Sequence, residues 1–244
     1  MIKLSFAGTG AAISQGRDWT SILVNDRILI DSGPTTPVNL KKMHKDIRKV
    51  DAILLTHYHG DHTFGLPMLL CDYAFVTKRE SPLSIMGPKN VEEYVESLVL
   101  TAFPDVGRMI LDLVPLRFFE LPAHGSTFPL HNLKFETFPM CHGGIGCLGY
   151  KLIFDEETVG FSGDTEMCQG LTSLIKDTKI LVLEMTTVGK RVPGHLNQED
   201  IKEILKTLSP NQKVILTHLS PNEVPKIPEF DSVIFSEDLE EYAF

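Results

Sequence analysis

The segment Thr56-His57-Tyr58-His59-Gly60-Asp61-His62 places three imidazoles and one carboxylate close together, directly after the apolar run Ala52-Ile53-Leu54-Leu55. Imidazole and carboxylate donors at such spacing suit a borderline-soft divalent ion, zinc before others. Consecutive side chains alternate in direction, so one short loop can serve two ions. A binuclear metal enzyme is the first expectation.

Such a loop needs rigid elements behind it. Short apolar runs recur, each ending in a polar residue: Ile28-Leu29-Ile30 before Asp31, Ile53-Leu54-Leu55 before Thr56, and Val159-Gly160-Phe161 before Ser162. Ile180-Leu181-Val182-Leu183 before Glu184 and Val214-Ile215-Leu216 before Thr217 continue the series. These read as buried strands, as does the N-terminal Met1-Ile2-Lys3-Leu4-Ser5-Phe6. Val91, Tyr94, Val95, Leu98, Val99 and Ala102 form one apolar stripe at helical spacing. Asn90 with Glu93 predicts a capping box at its start. A second helix is expected from about Asn197, with Ile201, Ile204, Leu205 and Leu208 inward. The basic stretch Lys41 to Lys49, with Leu40, Met43 and Ile47, reads as an amphipathic surface helix. Strands mixed with helices indicate an α/β layered architecture, and no linker divides the chain, so residues 1–244 are expected to be a single domain.

Site residues collect at strand ends. Those positions hold Asp31, His57, Asp164, Glu184 and His218, while His142 follows the apolar stretch Phe135 to Met140. Ile53-Leu54-Leu55-Thr56-His57 is echoed by Val214-Ile215-Leu216-Thr217-His218, which hints at a two-fold pseudo-repeat.

Bulk properties exclude several classes. The net charge of −9 lacks the basic footprint of a nucleic-acid binder and favours a small substrate held by metal ions. No apolar run approaches a membrane span, and no signal-peptide core is present, so the expected location is the cytoplasm. Cys71, Cys141, Cys147 and Cys168 show no paired spacing and read as free thiols. Gly144-Ile145-Gly146-Cys147-Leu148-Gly149 fits a dinucleotide fingerprint but precedes a strand, Tyr150 to Phe154, rather than opening a helix.

The order H-x-H-x-D-H, a distant His142, Asp164 in Ser-Gly-Asp-Thr, then Thr217-His218 resembles the metallo-β-lactamase superfamily. Phe6-Ala7-Gly8-Thr9-Gly10 and Leu29-Ile30-Asp31-Ser32-Gly33 look like its first two signatures, so the resemblance spans nearly the whole chain. It implies a four-layer αβ/βα sandwich with the metals between two mixed β-sheets. It implies two zinc ions, with manganese or ferrous iron as substitutes. One ion would take His57, His59 and His142, the other Asp61, His62 and His218, with Asp164 and a hydroxide shared. Asp31 would orient a ligand imidazole. His59 counts against the di-iron flavoproteins of the superfamily, which typically carry a carboxylate there.

Gly194-His195-Leu196 and Leu183-Glu184-Met185 resemble the phosphodiesterase branches, including ribonuclease Z. The resemblance makes His195 a group beside the scissile phosphate and Glu184 its partner. The catalytic set is thus expected to be Asp61, His195 and Glu184. Ribonuclease Z usually has His-Ser-Thr where this chain has His195-Leu196-Asn197, and commonly an RNA-gripping arm in the interval from His142 to Asp164, which is short here. Both departures favour a small or cyclic phosphodiester over RNA; an RNA nuclease is the alternative, and a lactonase or thioesterase a further one. A homodimer is compatible with these branches. Phe103, Phe118 and Phe119 are candidate pocket residues, with core packing the competing role; Lys190 and Arg191 are candidate phosphate contacts.

Overall fold

Continuous apolar runs become strands in the computed structural model, which describes residues 1–123, 127–130, 133–220, 230 and 232–244. Two compact units emerge, the first from Met1–Ala12, Asp18–Leu121 and Glu237–Phe244, the second from Ile13–Arg17 and Pro122–Ser236.

The first unit is built on a mixed sheet. Its strands are β1 (Lys3–Gly8), β2 (Ser21–Val24), β3 (Ile28–Ile30), β4 (Ala52–Leu54), β5 (Leu83–Gly87) and β6 (Leu116–Glu120), in that spatial order. The C-terminal strand Glu240–Ala243 adds to β1 antiparallel. β1 to β3 are antiparallel, whereas β3 to β6 run parallel. Every residue of β2, β3 and β4 is buried, and strands covered on both faces read as unbroken apolar runs.

The helices here are α1 (Thr36–Lys42), α2 (Gly60–Thr63), α3 (Leu66–Cys71), α4 (Val91–Ala102) and α5 (Gly107–Leu113). Val91, Val95 and Val99 of α4 are fully buried in a core with Leu55, Leu69, Tyr73 and Ile85. Burying each valine contributes roughly 1.5–3 kcal/mol. Phe103 and Phe118 pack against the same core, which gives them a structural role, while Phe119 is largely exposed.

Two helix expectations need correction. Asn90 does precede α4, but it is left-handed (φ 66°) and its side chain makes no cap hydrogen bond. Its N–H donates instead to Glu120 Oε1, 2.7 Å away, so no capping box forms. Lys41 to Lys49 is not one helix: α1 ends at Lys42, His44 turns left-handed, and a 3-10 turn covers Ile47–Lys49. Leu40 and Ile47 are nonetheless buried, so the inward face was assigned correctly.

The second unit carries β7 (Thr127–Leu130), β8 (Leu133–His142), β9 (Ile145–Phe154), β10 (Glu157–Phe161), β11 (Ile180–Glu184), β12 (Lys213–Thr217) and β13 (Ile234–Phe235), again in sequential order. β7 to β10 are antiparallel and β10 to β13 parallel. β8 and β9 turn through Gly143 and Gly144, both at positive φ, the backbone a two-residue hairpin demands. This hairpin contains the glycine pattern rejected above as a dinucleotide site. Helices α6 (Gln169–Ile175) and α7 (Gln198–Thr207) pack Leu171, Leu174, Ile201 and Ile204 into a core with Leu181, Leu183 and Leu216. Asn197 caps α7 in a reciprocal box with Asp200. The four cysteines are free thiols. Among the described residues no helix is long and apolar enough to cross a membrane.

Candidate metal centre

In the first unit the chain leaves β3 through Asp31, left-handed at φ 58° and 3% exposed. Its Oδ1 accepts the Thr56 N–H at 2.8 Å and its Oδ2 the Thr56 hydroxyl at 2.8 Å. His62 Nδ1 stands 2.8 Å from the same Oδ2. Because the Thr56 hydroxyl gives its proton to Asp31, it can only accept from His57 Nδ1, 3.0 Å away. Both imidazoles are therefore held with the proton on Nδ1, which leaves the Nε2 of each as the unprotonated nitrogen.

The turn carrying these residues is fixed from two sides. Ser32 N–H donates to His62 O at 2.7 Å, and Gly65 N–H to Ser32 O at 2.8 Å. The approach is so close that a Cβ on Gly33 would stand 2.6 Å from Asp61 O, which accounts for glycine after Asp31-Ser32. From the other side, Tyr94 of α4 donates to Tyr58 O at 3.0 Å and stacks on the Tyr58 ring. Burial pushes the phenols of both Tyr58 and Tyr94 above the ordinary range. His57 and His62 are sealed, whereas His59 is exposed and Asp61 half-buried.

In the second unit the site residues stand at or just beyond the carboxyl ends of parallel strands, where open α/β sheets bind ligands. Asp164 follows β10, Glu184 ends β11, and His218 follows β12 at φ 54°. Glu184, 1% exposed, accepts Thr165 N–H on Oε1 (2.8 Å) and Thr186 N–H on Oε2 (3.1 Å). The Thr186 hydroxyl donates to Oε2 at 2.6 Å. His195 Nδ1 lies 3.0 Å from both Glu184 Oε1 and Thr186 Oγ1, and His218 Nδ1 lies 2.9 Å from Thr186 Oγ1. His142 Nδ1 is 2.8 Å from Gly194 O. Gly194 is at φ 81°, and a Cβ there would meet His142 Nδ1 at 2.9 Å. His195 stacks parallel to His218 and meets His142 edge-on.

These tautomers test whether the donor set fits a metal. His57, His62, His142 and His218 each have Nδ1 engaged by a carboxylate, hydroxyl or carbonyl, the arrangement that readies Nε2 for ligation. The Nε2 atoms face carboxylates: His62 to Asp61 Oδ2 at 3.5 Å, His218 to Asp164 Oδ2 at 3.3 Å, His142 to Asp164 Oδ2 at 3.8 Å. Two atoms about 2.0–2.1 Å from one tetrahedral ion stand roughly 3.3–3.5 Å apart. The His62–Asp61 and His218–Asp164 spacings fit ligation of one ion by each pair, and the His142–Asp164 spacing is a few tenths of an ångström longer.

Sequence reasoning missed Thr186, Thr56 and Gly194, whose roles come from contacts that no motif spells out. His195 does not cap α7; that position belongs to Asn197. Lys190 and Arg191 are both exposed, and Arg191 is tied to Asp200 by an ion pair.

A family model described as the beta-lactamase superfamily domain matches residues 26–219. Ribonuclease Z of Bacillus thuringiensis (strain Al Hakam) is 30% identical over 199 residues, covering 77% of this chain and 62% of that protein. The chain thus spans less than two thirds of the length of the curated relatives it matches. Among solved structures, the metallo-β-lactamase fold protein YhfI of Bacillus subtilis aligns with a TM-score of 0.78 at 16% identity, over 99% of this chain and 98% of that one. A diphosphatase of the PhnP family aligns with a TM-score of 0.78 at 18% identity, over 100% and 98% respectively. The fold is that of the metallo-β-lactamases.

Proposed function

The chain belongs to the metallo-β-lactamase superfamily, and from that premise we propose that it is a metal-dependent hydrolase of small or cyclic phosphodiesters. His57, His59 and His142 would hold one divalent ion and Asp61, His62 and His218 a second, with Asp164 shared, so that residues 1–244 act as one catalytic domain. Zinc is the ion of choice for this donor set, with manganese or ferrous iron as substitutes. When bound, such ions supply water acidified to a pKa of about 7 and Lewis acidity toward a phosphoryl oxygen. Two divalent charges outweigh the Asp61 and Asp164 carboxylates, which suits an anionic diester.

The observation that carries the phosphodiester reading is His195. Its Nδ1 is held by Glu184 and Thr186, and its side chain keeps 16% exposure, unlike the sealed imidazoles. Its other nitrogen, Nε2, is then the atom that protonates the departing oxygen, while Glu184 stabilises the imidazolium that precedes transfer. Acyl substrates with good leaving groups need such an acid less.

Substrate size follows from the stretch joining His142 to Asp164. It holds a glycine turn, β9, a tight turn and β10, and leaves no length for an RNA-gripping arm. The second reading, RNA 3′ processing, is favoured by the ribonuclease Z relatives. Bis(p-nitrophenyl) phosphate, cyclic nucleotides and precursor tRNA, each tried with zinc and manganese, separate the two. The first reading expects turnover of the small diesters, abolished by chelator and by Asp61→Ala. Cleavage of tRNA alone would replace it with the second, and no hydrolysis of any phosphodiester would sink both.

A further inference from the structure

One hydroxyl in the second unit makes more contacts than its neighbours' roles require. Thr186 Oγ1 lies 2.6 Å from Glu184 Oε2, 3.0 Å from His195 Nδ1 and 2.9 Å from His218 Nδ1. A hydroxyl has one proton and two lone pairs. The ionised Glu184 carboxylate only accepts, and the contact to it is the shortest, so the proton points there. Both remaining lone pairs then face imidazole nitrogens, each of which must carry its own proton.

We propose that Thr186 is a positioning residue whose single hydroxyl sets the tautomer of His218 and joins Glu184 in holding that of His195. The inference rests on the reading above, in which His218 is a ligand and His195 the proton donor. It goes beyond that reading by making the two interdependent. His195 has a second acceptor for its Nδ1 proton in Glu184 Oε1. The Thr186 hydroxyl is likewise an acceptor for the His218 Nδ1 proton.

The coupling is built across the sheet. Glu184 and Thr217 are paired on neighbouring parallel strands, β11 and β12. Thr186 lies two residues past Glu184 and is 8% exposed, and its N–H is anchored by the same carboxylate. Met185 N–H donates to Thr217 O at 2.9 Å, which fixes the peptide between Glu184 and Thr186 against the strand that leads to His218. The hydroxyl therefore has little freedom to choose another orientation.

The test reads tautomers directly. Nitrogen-15 chemical shifts of the histidine rings are recorded in metal-free protein at about pH 8.5, two units above the ordinary imidazole pKa. The wild type is expected to show His195 and His218 protonated at Nδ1. Thr186→Val is expected to leave His195 largely unchanged and to turn His218 into a mixture of tautomers; Thr186→Ser is expected to restore it. Thr186→Ala removes the hydroxyl without placing a methyl at its position, and His218 should again become mixed. In chelator competition Thr186→Val should weaken metal binding by about 10–100-fold.

Should Thr186→Val fail to fold, Thr186→Ala, which also lacks the hydroxyl, decides the matter. Unchanged His218 tautomers in the variant that folds would overturn the proposal. If the tautomers respond but the wild type binds no metal, the hydroxyl relay stands and the hydrolase reading falls.

Discussion

A buried aspartate in the first unit and a buried glutamate in the second hold equivalent sets of groups. Asp31 takes the Thr56 hydroxyl and His62, while Glu184 takes the Thr186 hydroxyl and His195. Each hydroxyl passes the contact to one more imidazole, His57 in the first case and His218 in the second. The difference lies in the imidazole that touches the carboxylate. The His62 side chain is 2% exposed, whereas that of His195 is 16% exposed. A sealed imidazole with a fixed Nδ1 proton offers a lone pair at Nε2, which is what a ligand needs. An imidazole with solvent access exchanges protons, which is what an acid needs. One arrangement of carboxylate, hydroxyl and imidazole thus occurs twice, and the imidazole on the carboxylate is sealed in one copy and reached by solvent in the other.

The comparison breaks most visibly at those two imidazoles. His195→Ala should lower kcat by about 10²–10⁴-fold with metal content unchanged. His62→Ala should lose metal and activity together. Steady-state kinetics with elemental analysis of the same samples reads both, and metal loss in His195→Ala would erase the distinction.

Asp31→Asn sharpens the first half. It disturbs the contacts to His62 and to Thr56, so metal affinity should fall by about 10–100-fold in chelator competition, with kcat near normal once metal saturates. Thr56→Val removes the hydroxyl's contacts to Asp31 and His57 but spares the Asp31–His62 contact, and should sit at the lower end of that range, about tenfold. A Thr56→Val effect larger than that of Asp31→Asn would mean that the carboxylate is not the anchor.

The smallest effect separates stability from site geometry. Asn197→Ala removes the cap of α7, which begins just after His195, and should cost about 1 kcal/mol in denaturant unfolding. Metal affinity and kcat should remain those of the wild type. A matching loss of kcat would show that α7, rather than Glu184 and Thr186, positions His195.

How much of this could be read in advance depends on what each residue needs. The strands were legible because β2, β3 and β4 are buried at every position, so composition alone marks them. The dense cluster from His57 to His62 was legible because few roles other than ligation call for such donors together. The two Thr-His steps repeat in sequence but not in contacts. The Thr56 hydroxyl meets His57 Nδ1, whereas the Thr217 hydroxyl makes no hydrogen bond and Thr186 meets His218 Nδ1. A contact between separate segments is not written in either strand's sequence. Local cap signals failed where a distant group intervened, as Glu120 does at Asn90.

Metal stoichiometry tests the central claim most directly, through the residue assigned to both ions. Titration of metal-free protein with zinc should give two ions per chain, and Asp164→Asn should weaken both. A single ion in the wild type, or two ions of which Asp164→Asn weakens only one, would contradict a shared binuclear centre.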